Sequence, residues 1–144
     1  MSTEDSRRIV EEWAMNLNAG KFDELLAMAA PDATWWVAGP KLDEQKYPNL
    51  TQLSGEHPYS IRPAQIKAAF GKASSARFTV RDIIAEGGKA VLELEPCVEG
   101  LPGKGTYRNN AMLKFVIRDG KIQEVREYLD LHNFFSSEGI NPYP

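Results

Sequence analysis

One cysteine, Cys97, stands in 144 residues, which excludes an internal disulfide and any metal centre built on clustered thiolates. The two histidines, His57 and His132, lie most of the chain apart, so zinc has no histidine pair to start from. No metal is expected. No apolar run approaches the roughly 18 to 20 residues of a membrane-spanning helix. The opening Met1-Ser2-Thr3-Glu4-Asp5-Ser6-Arg7-Arg8 is acidic and polar where a signal peptide is basic and then apolar. These absences predict a cytoplasmic chain with no membrane partner. Basic residues are also thinly spread. Seventeen Lys and Arg against twenty Asp and Glu leave a net charge of −3, without the stripe that nucleic acid requires.

What is present is an ordinary globular composition, 42% hydrophobic, 10% aromatic and 26% charged, in a length that suits one domain, residues 1–144. Ile9, Trp13 and Leu17 recur at helical spacing beside Val10 and Ala14. Ser2 or Thr3 caps that helix and Asn18-Ala19-Gly20 ends it. A second, shorter helix carries Phe22, Leu25, Leu26 and Ala29 and is stopped by Pro31. A strand follows over 33–38, containing Thr34-Trp35-Trp36-Val37. Because successive strand residues face opposite ways, one tryptophan lines the interior and the other packs outside. Gly39 to Arg62, with three prolines and no period, reads as a long loop or lid. Pro63 opens a third helix with Ile66, Ala69, Phe70 and Ala73.

From Ala76 the period changes to two and glycines punctuate the turns. Four antiparallel strands are predicted, over 76–86, 89–98, 106–118 and 121–131. Ser136 to Pro144 forms a tail. The fold class is α+β, with helices packed on a curved antiparallel sheet.

In the last hairpin, a three-residue loop Arg118-Asp119-Gly120 pairs Ile117 with Lys121 and places the odd-numbered residues of both strands on one face. That face holds Tyr107, Asn109, Ala111, Leu113, Phe115 and Ile117 on one strand, and Gln123, Val125, Glu127, Leu129 and Leu131 on the other. It sets the carboxylate of Glu127 opposite Ala111 on an apolar surface. Such an acid must be paired, hydrated or protonated, and a protonated acid in an apolar wall is suited to general acid or base work. The alternative is a structural group bonded to Asn109, Tyr107 or a trapped water. Asp82 stays open, because Gly87-Gly88 allows either register. His57 in the long excursion and His132 after the last strand could meet a pocket mouth, as could Arg62, or each could simply be solvated. Cys97 takes the outer side of its strand, with no base beside it.

Leu17-Asn18-Ala19-Gly20-Lys21, Phe22 to Leu26, Pro31-Asp32-Ala33-Thr34-Trp35, and Asp119-Gly120-Lys121-Ile122 leading to Val125-Arg126-Glu127-Tyr128-Leu129-Asp130 resemble the nuclear-transport-factor-2-like superfamily, and within it the SnoaL-like and ketosteroid-isomerase-like branch. The resemblance implies a cone-shaped sheet wrapped around three N-terminal helical segments. It also implies an apolar pocket walled by Trp13, Trp35, Val37, Leu94, Phe115 and Val125, and a homodimer paired through the outer sheet face. The last strand is similar to that of limonene-epoxide-hydrolase-like members, with Glu127 at the position of their catalytic aspartate. Leu94 and Pro96 occupy the places of those enzymes' arginine and second aspartate. The ketosteroid isomerase positions fall on Trp13, on or near Val37, and near Asn110 or Ala111.

The expected activity is therefore acid/base chemistry without metal or organic cofactor: a lyase or dehydratase, isomerase or cyclase. Its substrate would be a small hydrophobic, aromatic or polycyclic, hydroxylated molecule. Glu127 would transfer the proton, Asn109 and Tyr107 would orient it or stabilise an oxyanion, and His57 or His132 would be the second proton-transfer group. The alternative is a non-catalytic protein that binds a hydrophobic ligand, or a dimeric accessory protein.

Overall fold

The computed structural model describes residues 1–48 and 53–140; parts of the long excursion and of the tail, 49–52 and 141–144, lie outside the described residues. Helix α1, Thr3–Asn18, starts as its sequence predicts: the Ser2 hydroxyl accepts from the Asp5 backbone N–H at 3.0 Å, satisfying one of the open N–H groups of the first turn. Its apolar stripe of Ile9, Val10, Trp13, Ala14 and Leu17 is buried. Asn18 then brackets the sheet, donating to the Phe78 carbonyl at 2.8 Å and accepting from the Phe78 N–H at 2.7 Å. Helix α2 spans Phe22–Ala27. Pro31 does not end it, contrary to expectation. Strand β1, Ala29–Val37, begins before that proline and runs through it, and its pairing shifts register between Ala29 and Thr34.

The long excursion contains strand β2, Gly55–Pro58, paired antiparallel with β1. Helix α3, Ile61–Phe70, begins two residues before Pro63. Strands β3 (Ser75–Glu86), β4 (Lys89–Leu101), β5 (Gly105–Arg108), β6 (Ala111–Arg118) and β7 (Lys121–Leu129) follow. The third expected strand is thus interrupted at Asn109-Asn110 into β5 and β6. The last ends at Leu129 and passes into helix α4, Leu131–Ser137, where the sequence predicts a strand to 131 and a tail from 136. Asp130 caps α4 by accepting from the Asn133 N–H at 3.1 Å.

The fold is α+β: an open seven-stranded sheet in the order β2-β1-β7-β6-β4-β3, with β5 on β4. The sheet is mixed rather than wholly antiparallel, since β1 and β7 run parallel. Irregularities in β3, β4 and β7 bend and twist the strands that carry them, giving the concave face on which α1 packs. Pairing across the break in β3 leaves Asp82 exposed and Ile83 buried, so Asp82 faces outward.

The final hairpin differs from expectation in an instructive way. Asp119 (φ +54°) and Gly120 (φ +75°) form a two-residue turn, and Arg118 pairs with Lys121. Both central residues at positive φ define the turn whose twist suits a hairpin. Ile117 pairs with Ile122, but Val116 pairs with Glu124, leaving Gln123 as an extra residue. This bulge returns Val125 and Glu127 to the concave side. Glu127 consequently lies opposite Leu113, not Ala111.

Candidate functional site

Glu127 is 8% exposed and is flanked along β7 by the buried Val125 and half-buried Leu129. It is not a solitary acid. Its Oε1 accepts a hydrogen bond from Arg62 Nη2 at 2.9 Å and another from Trp35 Nε1 at 2.9 Å. The tryptophan arrives from the neighbouring strand, where β1 and β7 run side by side. The arginine arrives from the first turn of α3, and its guanidinium also stands 5.2 Å from the Trp35 ring centroid. Nη1 of Arg62 donates to Gln65 Oε1 at 2.9 Å, one helical turn on. At 7% exposure, Arg62 corrects the expectation of a solvated mouth residue. Oε2 of Glu127 receives no hydrogen bond from the described residues, while Glu127 borders a cavity. One oxygen is fixed; the other is open.

Asn109 and Tyr107 are also buried, but they bond each other rather than Glu127. Asn109 Nδ2 donates to the Tyr107 hydroxyl at 2.5 Å and to the Asp130 carbonyl at 3.2 Å. Burial pushes the Tyr107 phenol up to about 12, the Asn109 bond opposes this, and the charges of Glu127, Glu138 and Asp130 add to the rise. On the aromatic side, Trp13 Nε1 donates to the Tyr59 hydroxyl at 3.0 Å, which donates to the Leu25 carbonyl at 2.6 Å. Burial pushes Tyr59 up to about 12 as well, against a smaller opposite effect of the Trp13 bond. The Trp13 ring centroid lies 5.8 Å from that of Trp35 and 5.2 Å from that of Phe115. Each buried polar tip therefore has a partner within an apolar body.

The cavity has a volume of about 420 Å³, within the range of small-molecule sites. Glu127, Arg62, Tyr107 and Asn109 border it, as do three of the expected walls, Trp13, Trp35 and Leu94. Val37, Phe115 and Val125 do not; they are fully enclosed in the core. Leu42 and Leu53 of the long excursion, and Phe134, Phe135 and Ile140 of the C-terminal segment, complete the lining, so both segments help to enclose it. Neither histidine borders the cavity. His57 sits on β2 with Nε2 at 2.9 Å from the Leu53 carbonyl, and His132 is exposed on α4. Trp36 faces the opposite side of the sheet, with the Arg126 guanidinium 3.9 Å from its ring centroid. Cys97 is buried and does not border the cavity. Among the described residues no cluster of His, Cys, Asp and Glu has metal-holding geometry, and no helix is long and apolar enough to cross a membrane.

Arg62 is the site residue that sequence reasoning undervalued. Its signal was present: Arg62, Ile66 and Phe70 recur at i, i+4 and i+8, so one helix stripe carries all three to the cavity.

Three solved structures show the class of fold. PrhC from Penicillium brasilianum superposes with a TM-score of 0.78 at 10% identity, covering 96% of this chain and 89% of that one. An NTF2-like protein from Burkholderia xenovorans gives 0.68 at 20% identity, covering 95% and 98%. An epoxide hydrolase of M. tuberculosis, described as LEH-like, gives 0.67 at 18% identity, covering 94% and 90%. At such identities the likeness establishes an NTF2-like fold and nothing finer. The family model described as SnoaL-like domain matches residues 10–125, and the chain belongs to that family. No curated protein matches it.

Proposed function

We propose that this protein is a cofactor-independent acid/base enzyme, a lyase or dehydratase, isomerase or cyclase, acting on a small hydrophobic hydroxylated molecule of aromatic or polycyclic type. The observation that carries this reading is the two-sided environment of Glu127. Arg62 and Trp35 hold Oε1, while Oε2 is open at the floor of an apolar cavity. Both neighbours donate hydrogens to the group, which leaves it an acceptor and hence a base. A fixed base whose free oxygen meets a substrate O–H or an acidified C–H is positioned for proton abstraction. Tyr107, whose hydroxyl proton has no acceptor among the described residues, supplies a donor for developing negative charge. His57 and His132 keep a role only if closure of the site brings them to its mouth.

The second reading is a binding protein that performs no chemistry. The Arg62–Glu127 pair favours it, because an acid with its charge already balanced also serves as a purely structural floor.

One experiment separates them. Hydroxylated aromatic and polycyclic compounds that raise the melting temperature are incubated with the protein in D2O and followed by NMR for solvent deuterium incorporation, loss of water or ring closure. Conversion supports the enzyme. Binding with no conversion or exchange supports the second reading, and absence of any stabilising compound removes both.

A homodimer paired through the outer sheet face belongs to the same proposal, supported by Met112 and Tyr128 standing about half exposed there. A monomer mass in light scattering would end that part. A cytoplasmic location belongs to the same proposal and is checked by fractionation.

A further inference from the structure

Four charged side chains border the cavity among the described residues, and they form two ion pairs: Arg62 with Glu127 at 2.9 Å, and Lys104 with Glu138 at 2.5 Å. The first pair lies at the buried floor, where its side chains are 8% and 10% exposed; the second is at the rim, 46% and 28% exposed. The remaining lining residues are uncharged and mostly apolar.

We infer that the cavity is built to take an electrically neutral ligand, and that these two ion pairs set the charge selection. This rests on the hydrophobic-ligand reading above and narrows its substrate class. An anionic ligand needs a cation, and both cations at hand are engaged. Drawing Arg62 away would leave Glu127 buried without its counter-charge, which is a costly state for a carboxylate. A cationic ligand reaching Oε2 would lie beside the Arg62 guanidinium, and it would still lose its hydration to an apolar chamber. A neutral hydroxyl meets neither obstacle and offers Oε2 the hydrogen it lacks.

One wall group already responds as this account requires. Ionising Tyr107 would place a negative charge on the cavity wall. That step is pushed up to about 12, by burial first and with Glu127 and Glu138 adding repulsion. Burial and these carboxylates weigh in the same way against a ligand that arrives fully charged, while the Tyr107 O–H stays a donor to a neutral one.

The test uses three compounds of nearly equal shape at neutral pH: 2-naphthalenemethanol, 2-naphthoate and 2-naphthylmethylammonium. Affinities are read by calorimetry on the full chain. The alcohol is expected to bind at least about tenfold more tightly than either ion. Glu138→Gln removes the partner of Lys104 at the partly exposed rim, and should raise 2-naphthoate affinity at least about threefold relative to that of the alcohol. Carboxylate binding equal to that of the alcohol would overturn the charge selection while leaving the ligand cavity intact. No gain for 2-naphthoate in Glu138→Gln would overturn the role given to the rim pair. Failure of all three compounds, and of naphthalene itself, would overturn the cavity reading beneath both.

Discussion

At the scale of single residues, Arg62 decides what Glu127 is. A carboxylate on an apolar face costs several kcal/mol unless something answers its charge, and here the answer comes from a helix 65 positions earlier in the chain. A buried ion pair is seldom chosen for stability alone, because apolar residues of similar volume serve as well or better. Its position at a cavity floor suits use of the open oxygen. Arg62→Leu is expected to destabilise by about 3 to 5 kcal/mol, since it strands Glu127. The double variant Arg62→Leu/Glu127→Leu should lie closer to wild type, short by about 1 to 3 kcal/mol for the abandoned Trp35 N–H. Urea unfolding of the three proteins checks this. A double variant less stable than Arg62→Leu would contradict it.

Tyrosines Tyr59 and Tyr107 give a second prediction at this scale. Both ionise near 10.0 when free and near 12 in the folded chain. The unfolded chain therefore loses these protons first. Their contribution to stability is complete below pH 10 and falls away between pH 10 and about 12. Denaturant midpoints across that window should drop, and should drop less in the Tyr59→Phe and Tyr107→Phe variants. A midpoint that falls as steeply in those variants as in the parent chain would show that these two phenols do not set the pH dependence.

At the scale of elements, strand parity was legible and strand register was not. Alternation from Leu113 to Ile117 and from Val125 to Leu129 requires Glu127 on the concave side, whichever turn joins the strands. A three-residue loop and a two-residue turn followed by a bulge at Gln123 give the same parity, differing only by two positions in pairing. Nothing in the side-chain pattern separates them, because the bulged residue is itself a half-buried polar group. The start of α3 is hidden because Pro63 favours the first position of a helix but is the third residue of this one. That shift kept Arg62 out of the helix and so off its inner stripe. Helix α4 was hidden by brevity: seven residues supply too few turns to establish a period. Gly120 tests the turn directly. A Cβ there meets nothing within 4 Å, but φ is +75°, so Gly120→Ala should cost about 1 to 2 kcal/mol from backbone strain alone. An unchanged unfolding midpoint would place the turn elsewhere.

At the scale of the whole molecule, helices α1 and α3 and the C-terminal segment meet the concave sheet around a hollow. Trp13 and Trp35 contribute to its wall without filling it. The family was readable from short segments spread over most of the chain, because this fold fixes where a helix end, a strand opening and a final hairpin must fall. The site was only partly readable, because its geometry depends on long-range contacts. The 2.9 Å bonds from Arg62 and Trp35 to Glu127 span 65 and 92 positions. No local spacing encodes such contacts. The same limit explains why Val37, Phe115 and Val125 share the inner face with the cavity walls yet lie wholly within the core: parity gives a side, not a depth.

In the proposed reaction Glu127 Oε2 takes a proton from a molecule held in this hollow. The most direct measurement is turnover by Glu127→Gln on a compound that the wild-type protein converts, alongside its unfolding midpoint and ligand affinity. The amide keeps the shape and can still accept a bond at one atom, but it is no base. A loss of turnover of at least about a hundredfold is expected, with ligand affinity largely retained and the fold kept at a stability cost of about 3 to 5 kcal/mol for the Arg62 charge left unpaired. Undiminished turnover in a folded Glu127→Gln protein would contradict it.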